Sequence, residues 1–227
     1  MSRRARSASA PEADASIFER LRVYLERKAA LTPEEIGFLR NLFAARSLSK
    51  GEFLQRTSEP ARFSVFVARG CLRSYVIDER GREHIIQFAP EDWWLSDANS
   101  LASGGPATFF IDAVEDSDVL LIDPPSHQRL VERVPKYAAS MRAGLERHAA
   151  AKDRRIVTTL SASAEERYLD FASRYPSLFR RVPQKMLASY LGISPETLSR
   201  LRKKIASRAA TAARGRRRPP RAAGPDG

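Results

Sequence analysis

The chain has 227 residues, 43% of them hydrophobic, which is enough to fill one ordinary core and a smaller second one. No apolar run approaches the roughly 20 residues of a membrane span, and the start of the chain, with Arg3, Arg4 and Arg6 among Ser and Ala, lacks the apolar stretch of a secretory signal; a cytoplasmic protein without a membrane partner is expected. The net charge of +12 sits at the two ends, +3 over residues 1–10 and +9 over 200–227, so composition excludes a broadly basic surface on the neutral stretch between them.

The first 15 residues predict a disordered basic lead. Ile17, Leu21, Tyr24 and Leu25 then recur at helical spacing, and Thr32 followed by Pro33, Glu34 and Glu35 opens a second helix with a cap and a first-turn proline. From Phe53 the pattern turns to short β-prone runs: Phe63, Val65 and Val67; Leu72, Tyr75 and Ile77; Ile85, Ile86 and Phe88. The breaks at Arg69-Gly70 and at Asp78 to Gly81 read as hairpin turns. A loop at Ser103 to Pro106 and two more runs, about 108–114 and 119–122, complete an antiparallel jelly-roll or barrel pattern over residues 16–134. Cys71 is a packed residue of this stretch, and with only His84, His127 and His148 beside it there is no cluster spaced for a metal or an iron–sulfur centre.

Past Pro135 the period becomes helical, and residues 136–160 hold no proline and one glycine, which predicts a single long helix over 135–160. Met141, Leu145, Ala149, Ile156 and Leu160 form a narrow apolar seam, interrupted by Lys152. Such a seam packs either on a second copy of the chain or on its own roll, and a homodimer is expected. A helix around 164–174 follows, closed by Tyr175-Pro176.

Residues 183–204 carry the most information. Pro183 suits a helix start; Met186, Leu187, Tyr190 and Leu191 give that helix an apolar face; Gly192 supplies a left-handed turn and Ile193 plugs the angle. Ser194 caps a second helix with Pro195 at its first position, Glu196 near its positive end, and Leu198, Leu201 and Ile205 as its buried stripe. This is helix-turn-helix spacing within a domain over 161–206. The opposite face carries Pro195, Glu196, Ser199, Arg200 and Lys203, the side that a recognition helix offers to the major groove of duplex DNA. Arg200 is the candidate for a bidentate contact to guanine, and Glu196 can accept from a cytosine amino group. Thr197 and Ser199 can reach base or phosphate, while Lys203 and Lys204 suit backbone phosphates. The bland alternative is a tight helical hairpin with a solvated charged face. Residues 207–227 are Ala, Arg, Pro and Gly, predicting a disordered basic tail that either adds salt-sensitive attraction to phosphates or is simply solvated.

With the helical lead, the roll, the long helix and the motif from Ala188 to Arg200, residues 17–205 resemble the Crp/Fnr family of bacterial transcription regulators. The resemblance implies an α+β chain: a cyclic-nucleotide-binding-like β-roll, a dimerisation helix, and a helix-turn-helix that reads half of a near-palindromic site, with base contacts at the positions of Pro195, Glu196 and Arg200. Pro195 has no side-chain donor, a departure from that pattern. The resemblance also makes RNA polymerase a candidate partner. Nucleotide-binding members carry a Gly-Glu pair and, some ten residues on, an Arg followed by Ser or Thr; here the matching stretches run from Pro90 to Asp97 and from Pro106 to Thr108, with no arginine for a phosphate. Cyclic AMP is therefore not expected as the ligand, and no cofactor is assigned. The candidate effector-facing residues are Trp93, Trp94, Leu95, Ser96, Asp97 and Thr108, although adjacent aromatics in a strand usually divide between core and surface. Two other classes remain: a roll that regulates through protein contacts, and a jelly-roll enzyme, for which the usual His-x-His metal pair is missing.

Overall fold

The computed structural model describes residues 10–27 and 30–216, with side chains over 14–27 and 30–208. It divides into two compact units that meet between residues 161 and 162. The first contains α1 (Ala10–Glu26), α2 (Pro33–Arg40), β1 (Ala44–Leu48), β2 (Phe53–Gln55), β3 (Ser64–Arg69), β4 (Leu72–Ile77), β5 (Glu83–Ala89), β6 (Trp94–Leu95), α3 (Ala98–Ser103), β7 (Phe110–Ala113), β8 (Ser117–Ile122), α4 (Pro124–Arg133) and α5 (Pro135–Ser161). The second contains α6 (Ala164–Arg174), α7 (Pro176–Arg181), α8 (Gln184–Leu191) and α9 (Pro195–Arg216).

The eight strands form two antiparallel sheets, ordered β1-β8-β3-β6 and β2-β7-β4-β5. Leu48, Val65, Val67, Leu72, Leu95, Ile111 and Val119 fill the space between them. Only one of the two expected hairpins is a hairpin. At Asp78 to Gly81 the chain does fold β4 onto β5, with the Asp78 carboxylate accepting from the N–H groups of Arg80 and Arg82, both at 2.9 Å. At Gly70, by contrast, the chain leaves one sheet for the other, because β3 pairs with β6 and β8 whereas β4 pairs with β5 and β7. This corner lies against the return corner after β7: Val114 N–H donates to the Cys71 carbonyl and Cys71 N–H to Ser117 Oγ. A Cβ on Gly70, whose φ is +91°, would stand 2.3 Å from Ser117 Oγ and 2.7 Å from the Asp116 carbonyl, so the two corners can touch only where that side chain is absent. Cys71 is fully buried beside it.

Helices cover the outer face of the first sheet. Phe18, Leu21, Tyr24 and Leu25 of α1, Leu39 of α2, Leu130 of α4 and Tyr137 and Met141 of α5 pack on Phe66, Trp94, Leu120 and Ile122. Thr32 makes the expected capping box with Glu35. The first half of α5 buries Tyr137, Ser140, Met141 and Gly144; a Cβ on Gly144 would come within 3.4 Å of the Tyr24 hydroxyl, which also accepts from Arg147 at 2.9 Å.

Several elements differ from expectation. β1 was not foreseen, since Ala-Ala-Arg-Ser-Leu has no β-branched residue; its partner is β8, at the far end of the roll. α3 and α4 are short helices capped by Asp97 and Asp123, in stretches for which the sequence reading gave no element. α1 already begins at Ala10, inside the stretch expected to be disordered, and α9 runs on to Arg216, so residues 207–216 are helix rather than irregular tail. Residues 1–9 and 217–227, the remainder of the expected lead and tail, lie outside the described residues.

Candidate nucleic-acid interface and effector site

The turn of the helix-turn-helix forms from local causes and is then braced by α6. Gly192, at φ 67° and ψ 35°, ends α8 in the left-handed conformation, and Ile193 N–H reaches back to the Ala188 carbonyl at 3.0 Å. Ser194 Oγ accepts from Thr197 N–H at 3.2 Å, capping α9, and Pro195 takes the first helical position. Leu187, Ala188 and Leu191 of α8 and Leu198 and Leu201 of α9 are buried against each other and against α6, whose Tyr168 and Phe171 are also buried. Arg167 of α6 fixes the turn from outside: Nε donates to the Leu191 carbonyl at 3.0 Å and Nη1 to the Ala162 carbonyl at 2.7 Å.

With that stripe buried, Pro195, Glu196, Ser199, Arg200, Lys203 and Lys204 are exposed together along α9. Thr197 is half-buried, and its hydroxyl accepts from Ser194 at 3.1 Å and from Arg200 Nη2 at 3.4 Å, so it belongs to the cap more than to the outer face. The Glu196 carboxyl is held below its ordinary pKa, first by its own backbone N–H and then by the Ser194 hydroxyl, with Arg200 adding to the effect. Lys204 stands apart: its Nζ lies 2.9 Å from Glu165 Oε2 on α6, and Arg208 Nη1 lies 2.7 Å from the other oxygen of that carboxylate. Glu165 and Arg167 escaped the sequence reading because their partners on α8 and α9 lie 24 to 43 positions away.

The six residues expected to face an effector do not form one cluster. Trp94 is buried in the helix-facing core, 5.3 Å from Phe66 between ring centroids, while Leu95 points into the roll as strand alternation requires. Trp93 is half-buried and stacks on His148 of α5 at 4.7 Å. Ser96 is exposed. Asp97 and Thr108 do meet: the buried carboxylate accepts from Thr108 N–H at 2.6 Å, from Thr108 Oγ1 at 2.8 Å and from Ser100 N–H at 3.1 Å.

Residues 45–134 match the family model of the cyclic nucleotide-binding domain. The roll has the fold of a cyclic nucleotide-binding domain. Solved structures extend the likeness beyond the roll. FixK2 from Bradyrhizobium japonicum superposes with a TM-score of 0.61 at 21% identity, covering 74% of this chain and 86% of that one. The c-di-GMP responsive global regulator CLP of Xanthomonas campestris gives 0.64 at 15% identity, covering 78% and 93%. A protein from Eubacterium rectale described as a transcriptional regulator of the crp/fnr family gives 0.61 at 15% identity, covering 82% and 88%. The fold is that of Crp/Fnr regulators, as the resemblance implied. No curated protein matches the sequence.

Two buried charged residues of the roll, Asp97 and Arg73, are each held by partners within it. Both donors of Thr108, its N–H and its hydroxyl, go to the Asp97 carboxylate, and the preceding residue, Ala107, is buried. The one deeply buried arginine of the roll, Arg73, is bound elsewhere. Its Nε and Nη2 grip Asp112 at 2.7 and 2.9 Å, its Nη1 lies 2.6 Å from Glu83, and its guanidinium lies over the Tyr75 ring. Among the described residues there is no group of His, Cys, Asp and Glu that could hold a metal, and no helix is long and apolar enough to cross a membrane.

Proposed function

We propose that this chain is a sequence-specific, DNA-binding transcription regulator of the Crp/Fnr type that acts as a homodimer and is not switched by cyclic AMP. The observation that carries the reading is the outer face of α9. Glu196, Ser199, Arg200 and Lys203 are solvent-exposed on one side of a helix anchored on its other side by Leu198 and Leu201. A rigid helix presenting short polar, acidic and guanidinium groups from its first two turns suits the major groove, where each base pair shows a distinct donor and acceptor pattern. Arg200 is assigned to guanine, Glu196 to a cytosine amino group, Ser199 to base or phosphate and Lys203 to phosphate. Pro195 supplies only an apolar surface, and Ser194 and Thr197 secure the helix start.

Dimerisation is supported by the second half of α5. Leu145, Ile156, Val157 and Leu160 are 58 to 83% exposed in the single chain. The stripe is too apolar to be a solvated face, and a second copy of the same helix covers it by symmetry. The self-satisfied Asp97 and Thr108 pair supports independence from cyclic AMP. RNA polymerase is the further partner that a regulator of this type would engage.

The test begins with fragments enriched from sheared genomic DNA by the intact chain, followed by anisotropy titration of the best fragment. Arg200→Ala is expected to weaken that complex by about 1–3 kcal/mol, roughly 5- to 150-fold, and to leave binding to random duplex nearly unchanged. Equal losses on both duplexes would remove Arg200 from base recognition.

A further inference from the structure

The helix-turn-helix unit has few acids, and three of the four among its described residues are committed locally: Glu166 to the capping box of α6, Asp170 to Arg174, and Glu196 to the start of α9. Glu165 is different. It sits in the first turn of α6, whose backbone the capping box fixes, and its carboxylate reaches across to α9 to hold Lys204 and Arg208, one on each oxygen. Those two cations are one helical turn apart, so a single carboxylate spans both. From Thr197 to Pro225 the sequence contains no acid at all, so Glu165 is the negative charge set against the basic flank of this helix.

Resting on the DNA-binding reading above, we infer that Glu165 is a built-in competitor for DNA phosphates: it occupies Lys204 and Arg208 in the free protein and thereby limits binding that does not depend on base sequence. The energetics allow the exchange. Lys204 and Arg208 are 55 and 62% exposed, and ion pairs in that setting contribute little, so phosphates can displace the carboxylate. Once displaced, Glu165 stands unpaired beside a polyanion and weakens the contact it has yielded. Base-specific contacts from Arg200 and Glu196 lie outside this exchange, so the effect falls mainly on non-specific binding, and discrimination gains.

Glu165→Gln keeps the size and polarity of the side chain and removes its charge. With random-sequence duplex titrated from 50 to 200 mM salt, this variant is expected to bind more tightly than the unmodified chain at every salt. Its plot of log affinity against log salt should keep a slope within about 1 of the unmodified chain's, since phosphates take the same two cations in both proteins and each phosphate neutralised contributes about 0.9. The gain in affinity should vanish when Lys204→Gln and Arg208→Gln are already present, as coupling through those cations requires. Unchanged affinity would overturn the inference; so would weaker binding by Glu165→Gln with an unchanged melting temperature, which would make the triad a support for α9. If Glu165→Gln does not fold, the comparison of Lys204→Gln plus Arg208→Gln with the unmodified chain decides: a slope shallower by nearly 2 means that phosphates capture both cations, and an unchanged slope means that they never leave Glu165. Failure of the unmodified chain to bind any duplex at 50 mM salt would remove the DNA-binding reading itself, and this inference with it.

Discussion

His148 links the roll to the long helix through its stack on Trp93, and it is the side chain whose protonation most changes that contact. Burial, then the nearby positive charges of Arg147 and Lys152, push its pKa from 6.5 down to about 4. The unfolded chain therefore takes up a proton as pH falls through 6.5, whereas the folded chain refuses it until about pH 4. Stability from this group is fully present above 6.5 and is lost as pH falls across that window. Denaturant unfolding at pH 7 and pH 5 should show a larger loss for the unmodified chain than for His148→Gln. His127, also lowered by burial, is present in both proteins and cancels from the difference. Equal losses would mean that the imidazole is protonated in place.

Residue-scale chemistry was legible where partners are close in sequence. The Ser194 cap, the left-handed Gly192 and the Thr32 capping box follow from short-range rules that hold in any fold. The Arg73, Asp112 and Glu83 network was not, because Arg73 and Asp112 are 39 residues apart and adjoin only after β4 pairs with β7. For the same reason Asp97 read as a possible pocket residue, although its carboxylate is consumed by a threonine 11 positions on.

Among the elements, α5 presents two adjacent faces of different character. Tyr137, Met141, Gly144, His148 and Arg155 follow one stripe toward the roll, where Arg155 Nη2 donates to the Ile85 carbonyl at 2.7 Å and Nη1 to that of Ile86. Leu145, Ala149, Ile156 and Leu160 follow the next stripe for about 22 Å and are exposed. If a second copy covers that stripe, Leu145→Glu with Leu160→Glu should lower the mass seen by light scattering from twice 25.4 kDa to 25.4 kDa, with little change in the helical circular dichroism signal. An unchanged mass would place the subunit contact elsewhere. The seam itself was visible in the sequence as a 3.6-residue period, but which of the two faces would meet the roll was not, since that depends on where Trp93 and β5 stand. Likewise β1 and the Gly70 corner escaped prediction: β1 has no β-branched residue to mark it, and both its existence and the assignment of strands to sheets depend on contacts up to 77 residues apart.

The whole molecule joins a roll with the cyclic nucleotide-binding fold, whose Asp97 is satisfied by Thr108, to a helix-turn-helix proposed here to read DNA. Such a chain should recognise its site with no small molecule present. The direct measurement is selection of bound sequences from a random duplex pool, carried out in parallel without ligand and with saturating cyclic AMP. An inverted repeat with half-sites about one helical turn apart, recovered identically in both arms, is the expected result. Recovery of that repeat only with cyclic AMP, or of no repeat in either arm, would contradict a dimeric regulator that binds DNA without a nucleotide.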